Sequence, residues 1–85
     1  MPRVYISKRA EKELARLPAH VRRRFETAID ALQADEPRQV DLKPLEGTRA
    51  MWRLRVGEYR GIFEWKADGL WFTHFAHRSK MYRGF

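Results

Sequence analysis

From Met51 to His77 the chain runs in period two, and two short breaks cut it into three strand-length pieces. "MWRLRV" (51–56), "YRGIFEWK" (59–66) and "LWFTHFAH" (70–77) are rich in aromatic and β-branched residues. Gly57-Glu58 and Asp68-Gly69 separate them, and glycine-bearing dipeptides of this kind favour two-residue hairpin turns. A meander of three such strands must bury one face, because an isolated hairpin in water is at best marginal. The rest of the chain has to supply that cover.

Two amphipathic helices can do so. "RVYIS" (3–7) reads as a short first strand, and Ser7 as the N-cap of a helix over 8–17 carrying Ala10, Leu14 and Leu17. Pro18 ends it and opens a second helix, 19–34, with Val21, Phe25, Ala28, Ile29 and Leu32 on one stripe. Arg22, Arg23, Arg24 and Glu26 fall outside that stripe and face solvent. Residues 35–50, with Pro37, Pro44 and Gly47, lack a period and read as connection. The expectation is a single α+β domain over 1–85. Its order is β-α-α-β-β-β, with a two-helix hairpin on one face of an antiparallel sheet and a basic face left open opposite.

Counting parity through the turns assigns side chains to those faces. A Gly57-Glu58 turn sets Val56 opposite Tyr59, Arg55 opposite Arg60 and Arg53 opposite Ile62. Arg53, Arg55, Arg60, Ile62 and Glu64 then share one face; Trp52, Leu54, Val56, Gly61, Phe63 and Trp65 share the other. An Asp68-Gly69 turn adds Trp71, Thr73, Phe75 and His77 to the arginine face, with His77 opposite Arg60. Trp52, Phe63 and Trp65 are expected in the core. Trp71 and Phe75 are divided between stacking on RNA and packing under the C-terminal tail, and His74 reads as a partly buried structural histidine. Like charges directly opposite each other destabilise a sheet, so the Arg55–Arg60 pair either points into water or expects an anion on this face.

Overall charge agrees. The chain has 18 Lys and Arg against 11 Asp and Glu, a net charge of +7. Arginine's planar fork suits phosphate, and aromatic rings interleaved with cations are the usual furniture of RNA-binding sheets. There is no cysteine, which removes disulfide and thiol chemistry. His74 and His77 fall on opposite faces of a strand and His20 sits on a helix, so no metal site is expected, and no cofactor. No apolar run is long enough for a bilayer and no signal-peptide core precedes "SKRA", which points to a cytoplasmic protein without a membrane partner.

"LKPLEG" (42–47), "WRLRVGEYRGIFE" (52–64) and "HRSKMYR" (77–83), in this order and at this length, resemble the RelE/ParE toxin superfamily, its RelE branch in particular. The two-helix start fits as well, so the resemblance covers essentially the whole chain. It implies the toxin of a type II toxin–antitoxin pair, a metal-independent endoribonuclease that cleaves mRNA in the ribosomal A site. There the RNA's own 2′-hydroxyl attacks the adjacent phosphate. A ParE-like gyrase inhibitor without nuclease activity is the alternative on the same fold. The resemblance also implies a cognate antitoxin with an acidic, partly disordered segment, in a hetero-oligomeric complex.

Carried over residue by residue, the resemblance makes Arg60 the phosphate and transition-state clamp and Arg78 an aid to the developing charge or the leaving group. Tyr82 corresponds to the tail tyrosine, a general base or a platform for a codon base. Arg53 and Arg55 match basic positions of the preceding strand; Lys43, Lys80 and Arg83 extend the phosphate-binding set. Met51 stands where some members carry a lysine, so proton abstraction is left among Tyr82, His77 and Lys43. Glu64 is expected to orient Arg53 or a neighbouring cation rather than to act as a base.

Overall fold

Residues 2–36, 40–47 and 50–81 are described by a computed structural model, the side chain of Met81 excepted. The elements in chain order are β1 (Val4–Ile6), α1 (Lys8–Arg16), α2 (Ala19–Gln33), β2 (Asp41–Pro44), β3 (Met51–Val56), β4 (Tyr59–Lys66), β5 (Gly69–His77) and the single turn α3 (Arg78–Met81). The α+β class and the two-helix cover are as expected. The sheet is larger and mixed: five strands in the order β1-β5-β4-β3-β2, with β1 parallel to β5.

Two of these features correct the sequence reading. The supposed connection over 35–50 contains β2, which pairs antiparallel with β3 and places Lys43 opposite Arg53. The first strand joins the far edge beside β5, with Tyr5 next to Trp71. That parallel contact requires Gly69, since a Cβ there would meet the carbonyl oxygen of Arg3.

The helices start where local chemistry dictates. Ser7 Oγ accepts from the Ala10 N–H at 3.1 Å, satisfying one of the open donors of α1. Pro18 occupies the N-cap position of α2. Ala10 and Leu14 of α1, with Val21, Phe25, Ile29 and Leu32 of α2, meet Leu54, Val56, Phe63, Leu70, Phe72 and Phe75 of the sheet in one cluster. Its centre is aromatic. Phe72 stacks on Phe75 at 5.1 Å, Phe63 tilts against Phe72 at 5.0 Å, and Phe25 meets Phe75 edge-on at 5.0 Å. Burying each such side chain is worth roughly 1.5–3 kcal/mol before entropy.

The Gly57-Glu58 turn forms as counted, with Val56 opposite Tyr59 and Arg55 opposite Arg60. Gly57 has φ 57°, the left-handed conformation that a II′ turn places at its first position. The second turn is displaced by one residue. Lys66 pairs with Gly69, so Ala67-Asp68 is the turn rather than Asp68-Gly69. A bulge between Ile62 and Phe63 then leaves Thr73 extra.

The displaced turn moves the pairing by two residues and keeps the faces, whereas the bulge adds a single residue and so inverts β5 beyond it. Phe75 pairs with Gly61 and is a core residue at 1% exposure. His77 pairs with Tyr59, and Ala76 stands opposite Arg60 in its place. Gly61 makes this possible: a Cβ there would lie 2.9 Å from Phe75 Cε1, so the bare backbone is what admits the ring.

Three aromatic or apolar positions also differ from expectation. Trp65 is half-exposed rather than buried, tilted against Trp52 at 6.3 Å. Trp71 stacks on Tyr5 at 4.3 Å, has Lys66 Nζ 5.3 Å from its ring centroid, and donates from Nε1 to Asp68. Its ring is engaged by protein partners. Ile62 is fully buried although it lies outside the helix-side cluster, so the arginine face is partly covered.

Candidate nucleic-acid interface

The arginines of β3 and β4 gather around the β3–β4 turn. Arg60 is 8% exposed, and its Nη1 donates to the carbonyl of Gly57 at 2.8 Å and to that of Tyr59 at 3.0 Å. Arg55 donates from Nε to the same Gly57 oxygen at 3.3 Å. Two guanidinium groups opposite each other therefore share one acceptor. Arg60 Nε is buried and has no hydrogen-bond partner among the described residues. A buried cation incompletely met by protein acceptors is the arrangement an incoming anion completes.

Arg78 reaches the same turn from the end of β5. Its Nε lies 2.6 Å from Glu58 Oε2, and its backbone N–H donates to the Glu58 carbonyl at 2.8 Å. Strand geometry stops at His77 and Arg78 begins α3, so strand alternation does not set the direction of the Arg78 side chain. Parity no longer applies beyond that point.

His77 sits on the Tyr59 side, its ring edge-on to Tyr59 at 5.2 Å. Nδ1 accepts from the Ser79 N–H at 3.2 Å and lies 2.9 Å from Ser79 Oγ. With Nδ1 accepting, the proton of the neutral ring is on Nε2. The side chain is adjacent to the cluster in sequence but does not stand opposite Arg60. Lys43 and Lys80 are exposed. Tyr82 and Arg83 lie outside the described residues.

Sequence reasoning missed Asp41. It stands opposite Arg55 on β2. Oδ1 receives Arg53 Nη2 at 3.2 Å, and Oδ2 is 3.9 Å from Arg55 Nη1. Arg53 is thus paired with Asp41 and not with Glu64. The signal was available: "VDLKP" alternates and puts Asp41 and Lys43 on one face. Pro37, Pro44 and Gly47 around it disguised the strand as loop.

Among the described residues, Arg53, Arg55, Arg60 and Arg78 are met by the carboxylates of Asp41 and Glu58 only, so the cluster stays cationic. Those residues also hold no group of three or more His, Asp or Glu that could bind a metal ion. No described helix is long and apolar enough to cross a membrane. What the site can do is grip a phosphate from several directions, through donors whose positions one turn sets.

Similarity to known proteins places the chain in a family. Residues 4–82 match the family described as the ParE toxin of type II toxin–antitoxin systems. The chain is 30% identical over 83 residues to Toxin RelE3 of Methanocaldococcus jannaschii, with 94% of each chain covered. The toxin–antitoxin complex RelB–RelE of Methanococcus jannaschii superimposes with a TM-score of 0.84 at 29% identity, covering 95% of this chain and 98% of that one. The archaeal RelE–RelB complex of Pyrococcus horikoshii gives 0.71 at 32% identity, over 93% and 97%. The chain belongs to the ParE toxin family, within the RelE/ParE superfamily of type II toxins.

Proposed function

We propose that this toxin is a RelE-type mRNA interferase, an endoribonuclease that cuts mRNA in the ribosomal A site without a metal ion. The observation that carries this reading is the convergence of Arg55, Arg60 and Arg78 on the two residues of one turn. Relatives named RelE, at or near 30% identity over nearly the whole chain, support it.

In the proposed reaction the 2′-oxygen attacks the neighbouring phosphorus, and the bond from phosphorus to the 5′-oxygen breaks. The products are a 2′,3′-cyclic phosphate and a free 5′-hydroxyl. Negative charge builds on the phosphoryl oxygens on the way. Arg60, held rigidly and poorly solvated, stabilises that charge at little reorganisation cost. Arg78 adds a second cation from the α3 side, and Arg53 and Arg55 hold flanking phosphates. Arginine stays protonated and cannot take the 2′-proton. That role falls within the set of Tyr82, His77 and Lys43.

The partner in this reading is an antitoxin with an acidic segment. A groove between α2 and β3, lined by Ala28, Ala31 and Leu54 and by three arginines, Arg23, Arg24 and Arg55, against the one carboxylate of Asp41, offers such a segment apolar contact and net positive charge together. Cytoplasmic localisation follows from the ribosomal target.

Primer extension on programmed ribosomes tests the proposal. Discrete cuts at A-site codons with wild type, absent with Arg60→Ala, are the expected result. A well-folded wild type that leaves the message intact would contradict it. Inhibition of gyrase supercoiling by the same preparation would then establish the ParE-like alternative that the family's description carries.

A further inference from the structure

We infer that Glu58 is a positioning residue for Arg78, an inference that rests on the nuclease reading above. Glu58 grips Arg78 twice: its carboxylate takes Nε at 2.6 Å and its carbonyl takes the backbone N–H at 2.8 Å. These contacts fall where they are needed. The β4–β5 ladder ends with Tyr59 opposite His77, and over Arg78–Met81 the backbone is helical. The Glu58 carbonyl extends the attachment by one residue past the last rung, and the carboxylate fixes the side chain that leaves it.

Stability does not account for this arrangement. The two side chains are 60% and 56% exposed, and exposed ion pairs contribute little to folding. Orientation does. A guanidinium held through Nε presents its Nη1–Nη2 edge outward, and two parallel N–H groups on one edge match two oxygens of a phosphate. The same turn holds Arg60 through the Gly57 carbonyl. The Arg60 guanidinium is thus held by the Gly57 carbonyl and the Arg78 guanidinium by the Glu58 carboxylate, so the two adjacent residues of one turn hold both cations.

Glu58 touches no reacting atom in this account; it acts through Arg78. A carboxylate beside a phosphate site would otherwise only repel substrate, and removing it would then raise affinity and leave the chemistry intact. A positioning role predicts the opposite split.

The experiment measures steady-state cleavage across a range of programmed-ribosome concentrations for wild type, Glu58→Ala, Glu58→Asp, Arg78→Ala and the Glu58→Ala/Arg78→Ala double variant. Thermal melting and the ¹⁵N resonance of Arg78 Nε–Hε are recorded on the free proteins. Glu58→Ala should lower kcat about tenfold to a hundredfold, the scale expected of a misplaced group, with KM changed much less. Its melting temperature should hold while the Arg78 Nε–Hε signal broadens by exchange. Glu58→Asp should recover part of the rate, and the double variant should be no slower than Arg78→Ala. Wild-type kcat in Glu58→Ala, or a double variant slowed by the product of the single effects, would overturn the inference and leave the nuclease reading standing. An inactive wild type would overturn that reading, and this inference with it, whatever the Nε–Hε signal shows.

Discussion

Arg55 and Arg60 stand directly opposite each other across β3 and β4, and both donate to the carbonyl oxygen of Gly57. One neutral acceptor makes the approach of two guanidinium groups tolerable, but it removes neither charge. A phosphate beside the turn would be attracted by both.

Gly57→Ala addresses the turn itself. At φ 57° an L-residue is strained, and the cost is about 1–2 kcal/mol. Space is not the obstacle, since the nearest heavy atom to the new Cβ is Arg24 Nη1 at 3.6 Å. The protein should fold with a modestly lowered melting temperature. Cleavage should fall further than stability does, because the carbonyl that holds both arginines is re-aimed. Equal losses in the two measurements would separate the turn from the site.

Gly61→Ala addresses the core below it. The added methyl would lie 2.9 and 3.0 Å from Phe75 and 3.1 Å from Phe72, two buried rings stacked on each other with no room to retreat. Overpacking of this kind costs about 1–3 kcal/mol. In a domain of this size each kilocalorie lowers the melting temperature by about 4–8 °C. Differential scanning calorimetry should show that drop; an unchanged transition would mean that Phe75 does not cover Gly61.

Asp41→Asn addresses the electrostatics. Asp41 is half-exposed, so folding stability should change by less than about 1 kcal/mol. Releasing Arg53 and Arg55 should tighten binding to single-stranded RNA at low salt. It should also steepen the dependence of log K on log salt by about 0.7 for each arginine freed. Salt titrations of a fluorescent oligonucleotide measure the slope. An unchanged slope would place both arginines outside the RNA path.

Legibility in the sequence followed locality. The Arg55–Arg60 pairing could be counted because Gly57 marks a turn between adjacent strands, and Ser7 announced its helix because capping is a three-residue affair. The parallel contact of β1 with β5 joins residues far apart in the chain, and no alternation pattern names a partner strand. Asp68 was read as the first turn residue, whereas its carboxylate accepts from Trp71 Nε1 as the second. The extra residue at Thr73 has no composition of its own, yet it decides that Phe75 is core and His77 is not opposite Arg60. Of the site, Arg53, Arg55 and Arg60 were placed on one face correctly. Their partners, Asp41 and the Gly57 carbonyl, depend on a disguised edge strand and on a backbone oxygen.

In the proposed mechanism the arginine cluster acts on a phosphate during chemistry and does more than bind it. The direct measurement is the single-turnover cleavage rate of Arg60→Ala on programmed ribosomes, taken alongside its affinity for them. Loss of one preorganised donor to a developing anion lowers rate by about 10²–10³. A fall of at least that size is expected, with affinity weakened only modestly. A variant that cleaves at the wild-type rate once bound, and merely binds more weakly, would contradict it.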